Sequence, residues 1–168
     1  AQVTADFETL FVRVEAIARL EREWGIKGLI DVDRLDASNG LLRPLLKGTS
    51  GITSFAIARD DGREILISSD ANGRWFNRLT DPDVRGGVGR FITYDENDRV
   101  VGDEVRKTDY DARKRPWFLA AAAMPKDDDI HWTAAYRFVS SGEPGLSAVV
   151  RWTAPDGHRY AITSDVWL

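Results

Sequence analysis

The chain has 168 residues, of which 43% are hydrophobic and 30% charged, with six tryptophans; that apolar load supports one folded core and excludes a disordered polypeptide. The net charge of -4, with basic residues scattered along the chain, excludes the electrostatic footprint of a nucleic-acid binder. The absence of cysteine excludes disulfides and thiolate metal sites, and leaves cytoplasm and bacterial periplasm equally open.

From Phe7, apolar residues recur at Leu10, Phe11, Val14, Ile17, Leu20 and Trp24, the three-and-four spacing of one helical face, with Thr4 as cap and Gly25 as stop. This predicts an amphipathic helix of about five turns. A second helical stretch, residues 35–46, contains Gly40 and Pro44, both unfavourable inside a helix, so a short or broken element is expected. The pattern then changes to strands. Residues 52–59 and 64–68 flank Asp60-Asp61-Gly62, a hairpin turn sequence. Residues 89–94 and 100–107 flank Asp95-Glu96-Asn97-Asp98 and form a second expected hairpin. A short helix is expected from Pro116 to about Met124; the apolar run 117–124 is eight residues, against about 20 for a membrane span. Three antiparallel strands are expected at 131–139, 146–153 and 160–166, separated by Gly/Pro-rich turns. The class is α+β, a leading helix packed on a mainly antiparallel sheet. The chain closes on an expected strand at Val166-Trp167-Leu168, which reads as a piece of a longer protein whose flanks carry the membrane spans.

The stretch Tyr110-Asp111-Ala112-Arg113-Lys114-Arg115-Pro116-Trp117-Phe118 carries the most chemistry. Proline holds the preceding Arg115 extended and is favourable as the first residue of a helix, so Arg115 is expected beside free backbone N–H groups at a helix start. A guanidinium fork next to such N–H groups suits a carboxylate. Tyr110 and Trp117 supply aromatic walls with polar ends, and Asp165 on the last strand is an acceptor for an organic ammonium if the sheet order brings it near. On these residues alone the commoner arrangement is blander: Arg115 in an ordinary ion pair, with Trp117 and Phe118 packing the helix into the core.

The same stretch resembles the YDPRxRPWY signature of Cache sensor domains, the PAS-like extracellular modules of bacterial receptors, with Ala112 in place of the usual proline. Trp132-Thr133-Ala134-Ala135-Tyr136 is similar to that family's WTxPY strand, Gly142-Glu143-Pro144-Gly145-Leu146 to its GxPGI turn, and Asp156-Gly157 with Thr163-Ser164-Asp165-Val166 to its closing DGxxxGVxGxDI. The resemblance implies a helical segment at 1–48, comprising a long and a short helix, and a PAS-like lobe at 49–168. The lobe is a mainly antiparallel sheet of five or six strands with flanking helices. It also implies a ligand-sensing role on the periplasmic or extracellular face of the inner membrane, as part of a membrane-tethered receptor, with a homodimer formed through the N-terminal helix. In the family's amino-acid-binding subgroup, the positions of Tyr110, Arg115, Trp117, Tyr136 and Asp165 contact ligand. Phe118 stands where that subgroup has a tyrosine, which removes one hydrogen bond worth roughly 1 kcal/mol.

Asp127-Asp128-Asp129 followed by His131 lacks the ligand spacing of a calcium loop and is expected to be a solvated turn. His131 and His158 lie in no HExxH or nucleophile-elbow setting, so no catalysis, metal or cofactor is expected. Two functions of different class follow: a sensor that binds an amino acid, amine or carboxylate, and an interaction module that keeps the fold but binds no small molecule.

Overall fold

The computed structural model describes residues 2–70 and 72–168. Its elements run α1 (Gln2–Ile26), α2 (Leu35–Gly48), β1 (Ile52–Arg59), β2 (Glu64–Ser69), β3 (Trp75–Thr80), α3 (Pro82–Arg85), β4 (Val88–Tyr94) and β5 (Val100–Lys107). A single 3-10 turn, Ala112–Lys114, then leads into α4 (Pro116–Ala123), β6 (His131–Trp132), β7 (Tyr136–Arg137), β8 (Pro144–Thr153) and β9 (Arg159–Trp167). Among the described residues the strands form one nine-stranded antiparallel sheet in the order β5-β4-β3-β2-β1-β9-β8-β6, with β7 also paired to β8. The α+β class, with a long leading helix and an antiparallel sheet, is as expected, but the sheet is larger than the five or six strands anticipated. Among the described residues no helix is long and apolar enough to cross a membrane.

The strands alternate between two faces. On one face Phe55, Ile57, Ile67, Val150, Trp152 and Ile162 form a core with Val14 and Ile17 of α1 and Leu42 and Leu46 of α2. On the other face Ala56, Leu66, Val149 and Ala161 pack against Tyr110, Trp117 and Ala121. The sheet is therefore a middle layer, with α1 and α2 on one side and α4 on the other.

The α1 stripe packs in part as expected, with Val14 and Ile17 buried and Leu10 and Trp24 against the same core, but Ala18, Glu21 and Gly25 are buried as well, whereas Phe7 and Leu20 are exposed. Gly25 is part of the last turn of α1 rather than its stop, because a Cβ there would meet the Trp152 indole at 2.3 Å. Thr4 lies inside α1 rather than at its cap; its side chain is outside the described residues. α2 is continuous through Pro44. Two reciprocal amide hydrogen bonds between Asn39 and Asn77, at 2.8 and 2.9 Å, together with buried Leu42 and Leu46, anchor it to the sheet despite the hydrogen bond that proline forfeits.

Strand β3 follows the turn at Gly73 and was not anticipated, because Asn77 and Arg78 interrupt its apolar alternation. Both are buried, and each is satisfied: Asn77 by Asn39 and the Leu66 carbonyl, Arg78 by Glu64. The expected strand at 131–139 is two short bridges, β6 and β7. Between them Thr133 donates its N–H to the Ser147 carbonyl and accepts the Ser147 N–H on its hydroxyl, which replaces a regular ladder with one side-chain link.

Glu21 is fully buried in the α1–β9 interface, where Oε2 accepts from the Ser164 hydroxyl at 3.0 Å while Oε1 has no partner. Burial raises its pKa well above the ordinary carboxylate range. A carboxyl with a raised native pKa contributes stability below its unfolded pKa and loses that contribution as pH rises through the native one. In urea unfolding, Glu21→Gln is expected to gain on wild type steadily as pH rises towards neutrality and beyond; a gap that does not change with pH would contradict this.

Candidate functional site

The site lies on the α4 face of the sheet, and its deepest group is Asp165. The register of β9 sets Asp165 directly opposite Ser54 of β1 on one side and Ser147 of β8 on the other. Both serine hydroxyls donate to it, Ser54 to Oδ2 at 2.6 Å and Ser147 to Oδ1 at 2.5 Å. The carboxyl is 5% exposed and makes no ion pair among the described residues. Burial is the largest influence on it, and its pKa is raised even though the hydroxyl bonds pull the other way. The Tyr136 hydroxyl lies 2.7 Å from Ser147 Oγ. With Asp165 ionised, the single proton of Ser147 is directed at the carboxylate, so Tyr136 must donate to Ser147. Burial raises the Tyr136 pKa, as does the neighbouring Asp165 charge.

The segment that precedes α4 brings the cation. Asp111 accepts from the backbone N–H of Arg113 and caps the 3-10 turn, and its carboxylate also holds the Arg113 side chain. Arg113 reaches Asp83 as well, at 2.9 and 3.0 Å. Arg113 is therefore a clamp for the local chain, and its charge is spent. Arg115 adopts φ -86°, ψ 148°, and Pro116 occupies the first turn of α4, the extended-then-helical geometry that proline imposes. The guanidinium of Arg115 donates one bond, at 3.1 Å, to the Arg137 carbonyl, lies 5.9 Å from the Tyr136 ring centroid, and makes no ion pair among the described residues.

Tyr110, Arg115, Trp117, Tyr136 and Asp165 line one cavity, together with Arg78 and the chain at Phe138 to Ser140. The expected ion pair of the bland reading is not formed by Arg115. Phe118 is a correction: it does not line this cavity but a separate shallow depression with Ala121, Arg151 and Tyr160. Successive residues of a helix point about 100° apart, so Trp117 and Phe118 cannot face the same space.

Arg78 is the site residue that sequence reasoning missed. Its guanidinium carbon is 3.6 Å from the centroid of the Tyr110 ring, and it pairs with Glu64 at 2.8 Å with both side chains almost wholly buried. Thr80 supplies a further hydrogen bond to Glu64. Burial and the nearby Glu64 charge push the Tyr110 pKa up. No sequence signal marked it, because Asn77 and Arg78 break the apolar alternation of β3 and the strand that carries it was not anticipated.

The free volume of the cavity is about 20 Å³, room for about one water. Phe138, Val139 and Ser140 form part of its lining. They are held by local bonds: Phe138 N–H to the Glu143 carbonyl, Gly142 N–H to the Phe138 carbonyl, and the Arg137 side chain to the Gly142 carbonyl. The Phe138 ring rests on Gly145, where a Cβ would meet it at 2.4 Å.

No protein-family model matches the chain, and no curated protein matches it. Among solved structures it is similar to the ligand-binding domain of Mlp24 with asparagine, at 18% identity and a TM-score of 0.42, over 96% of this chain and 57% of that one. The chain thus spans a little over half the length of that structure.

Removing Arg78 strands a buried carboxylate. Arg78→Ala is expected to cost ~3–5 kcal/mol of stability by denaturant unfolding, and Glu64→Gln combined with Arg78→Met to recover most of it. Equal losses in the single and the combined variant would contradict the pairing.

Proposed function

We propose that this domain is the ligand-sensing part of a bacterial transmembrane receptor, exposed outside the cytoplasm, and that it binds a small zwitterion such as an amino acid. One observation carries the reading: a guanidinium and a buried carboxyl, neither of them in an ion pair among the described residues, line the same cavity, between the rings of Tyr110, Trp117 and Tyr136. The ligand's carboxylate takes the Arg115 fork, and its ammonium takes Asp165. The resemblance of residues 110–118 and of the three downstream stretches to Cache domains supports the same assignment. The role is binding, and no catalytic step is assigned to it.

The wall at Phe138 to Ser140 supplies a means of response. Arg115 holds that segment through the Arg137 carbonyl, and a ligand carboxylate competes for the same fork. A ligand of about nine heavy atoms exceeds the free space of about 20 Å³ and requires the lining to open, with the gain limited to ~1.5 kcal/mol per atom. Micromolar affinity, about -8 kcal/mol, is within that limit. Signalling then requires that two forms of the domain bind the ligand with different affinity.

The small free volume favours a second reading, in which the lobe serves dimerisation through α1 or docking to another periplasmic protein. A screen of amino acids and amines without a binder, together with a concentration-dependent dimer in sedimentation, would favour that reading.

In calorimetry with a binder found by thermal-shift screening, Arg115→Ala is expected to weaken affinity about ten- to a hundredfold. Unchanged affinity would remove Arg115 from the site.

A further inference from the structure

A second, open depression of about 260 Å³ adjoins the cavity, and Arg78, Val139 and Ser140 line both. On its far side the depression is formed by Phe76 of β3, Phe91 of β4, and Arg106 and Lys107 of β5. The register explains the arrangement, since Arg78 of β3 lies opposite Phe91 of β4 and both project to the α4 face. Three of the lining residues are cations and none is a carboxylate.

The three cations differ in how far they are committed. Arg78 is spent on Glu64. Arg106 lies flat on the Phe91 ring, its guanidinium carbon 3.7 Å from the centroid, so its position is fixed by an aromatic face. Its ion pair with Glu104 is 3.2 Å long, but the two side chains are 54% and 62% exposed; an exposed pair of this kind contributes little and leaves the other guanidinium N–H groups free to donate. Lys107 makes no ion pair among the described residues. A side chain that leaves the Arg115 and Asp165 cradle past Arg78 and the turn at Val139 and Ser140 therefore meets an aromatic wall and then uncommitted positive charge.

We propose that the ligand is an α-amino acid with an extended side chain ending in an anion, which passes into this depression and is held there by Arg106. The inference rests on the zwitterion reading of the neighbouring cavity and adds the class of side chain. A neutral side chain of equal length gains only the aromatic contact, and a cationic one meets like charge.

Calorimetry on the 168-residue chain compares charge at matched length: L-glutamate against L-glutamine, and L-2-aminoadipate against L-norleucine. The acid is expected to bind at least about fivefold more tightly than its neutral partner in one of the two pairs, and Arg106→Gln to bring that ratio close to one. Neutral partners that bind as tightly as the acids, or a preference that survives Arg106→Gln, would overturn the assignment of the depression while leaving the cradle intact. No binding by any of the four or by L-alanine would instead overturn the zwitterion reading, and this inference with it.

Discussion

A carboxylate buried without an ion pair is the costly feature around which the rest of the site is arranged. Taking such an ion out of water costs several kcal/mol even after relaxation, and Asp165 recovers part of this through two hydroxyl donors fixed by cross-strand register. The remainder appears as a raised pKa. The nearest guanidinium on the same face, Arg78, is already committed to Glu64, and Arg115 is committed only to a carbonyl. The protein therefore holds an acid and a base in one cavity without letting them neutralise each other, the arrangement that a zwitterion complements.

Strand β9 carries this constraint to the other side of the sheet. Alternation sends Asp165 to the α4 face and Ser164 to the α1 face, where Ser164 donates to Glu21. A buried carboxyl thus sits on each face of the sheet, Asp165 on β9 itself and Glu21 on α1 against Ser164, and the charge of Asp165 adds to the burial that raises the pKa of Glu21.

Much of this was legible in the sequence where local chemistry dictates local structure. Pro116 fixes the extended Arg115 and the start of α4, and Asp60-Asp61-Gly62 sets the first hairpin; both are short-range effects of backbone geometry. The convergence of Tyr110, Arg115, Trp117, Tyr136 and Asp165 on one cavity rested on the resemblance, since no spacing in the chain reveals which strands become neighbours. What was hidden involved polar groups in apolar positions. β3 went unseen because Asn77 and Arg78 read as solvent-facing until Asn39 and Glu64, distant in sequence, are seen to satisfy them. Phe118 was carried to the site only by the resemblance, as the counterpart of a tyrosine, and its side chain lines a different depression.

The most direct test is the titration of the Asp165 carboxyl by carbon-detected NMR, in the free protein and with a saturating amino acid. The free protein should show a midpoint above the ordinary aspartate range, and the bound form a lower one, because a ligand ammonium stabilises the ionised state. An ordinary midpoint in the free protein, or one that the ligand leaves unmoved, would contradict the account.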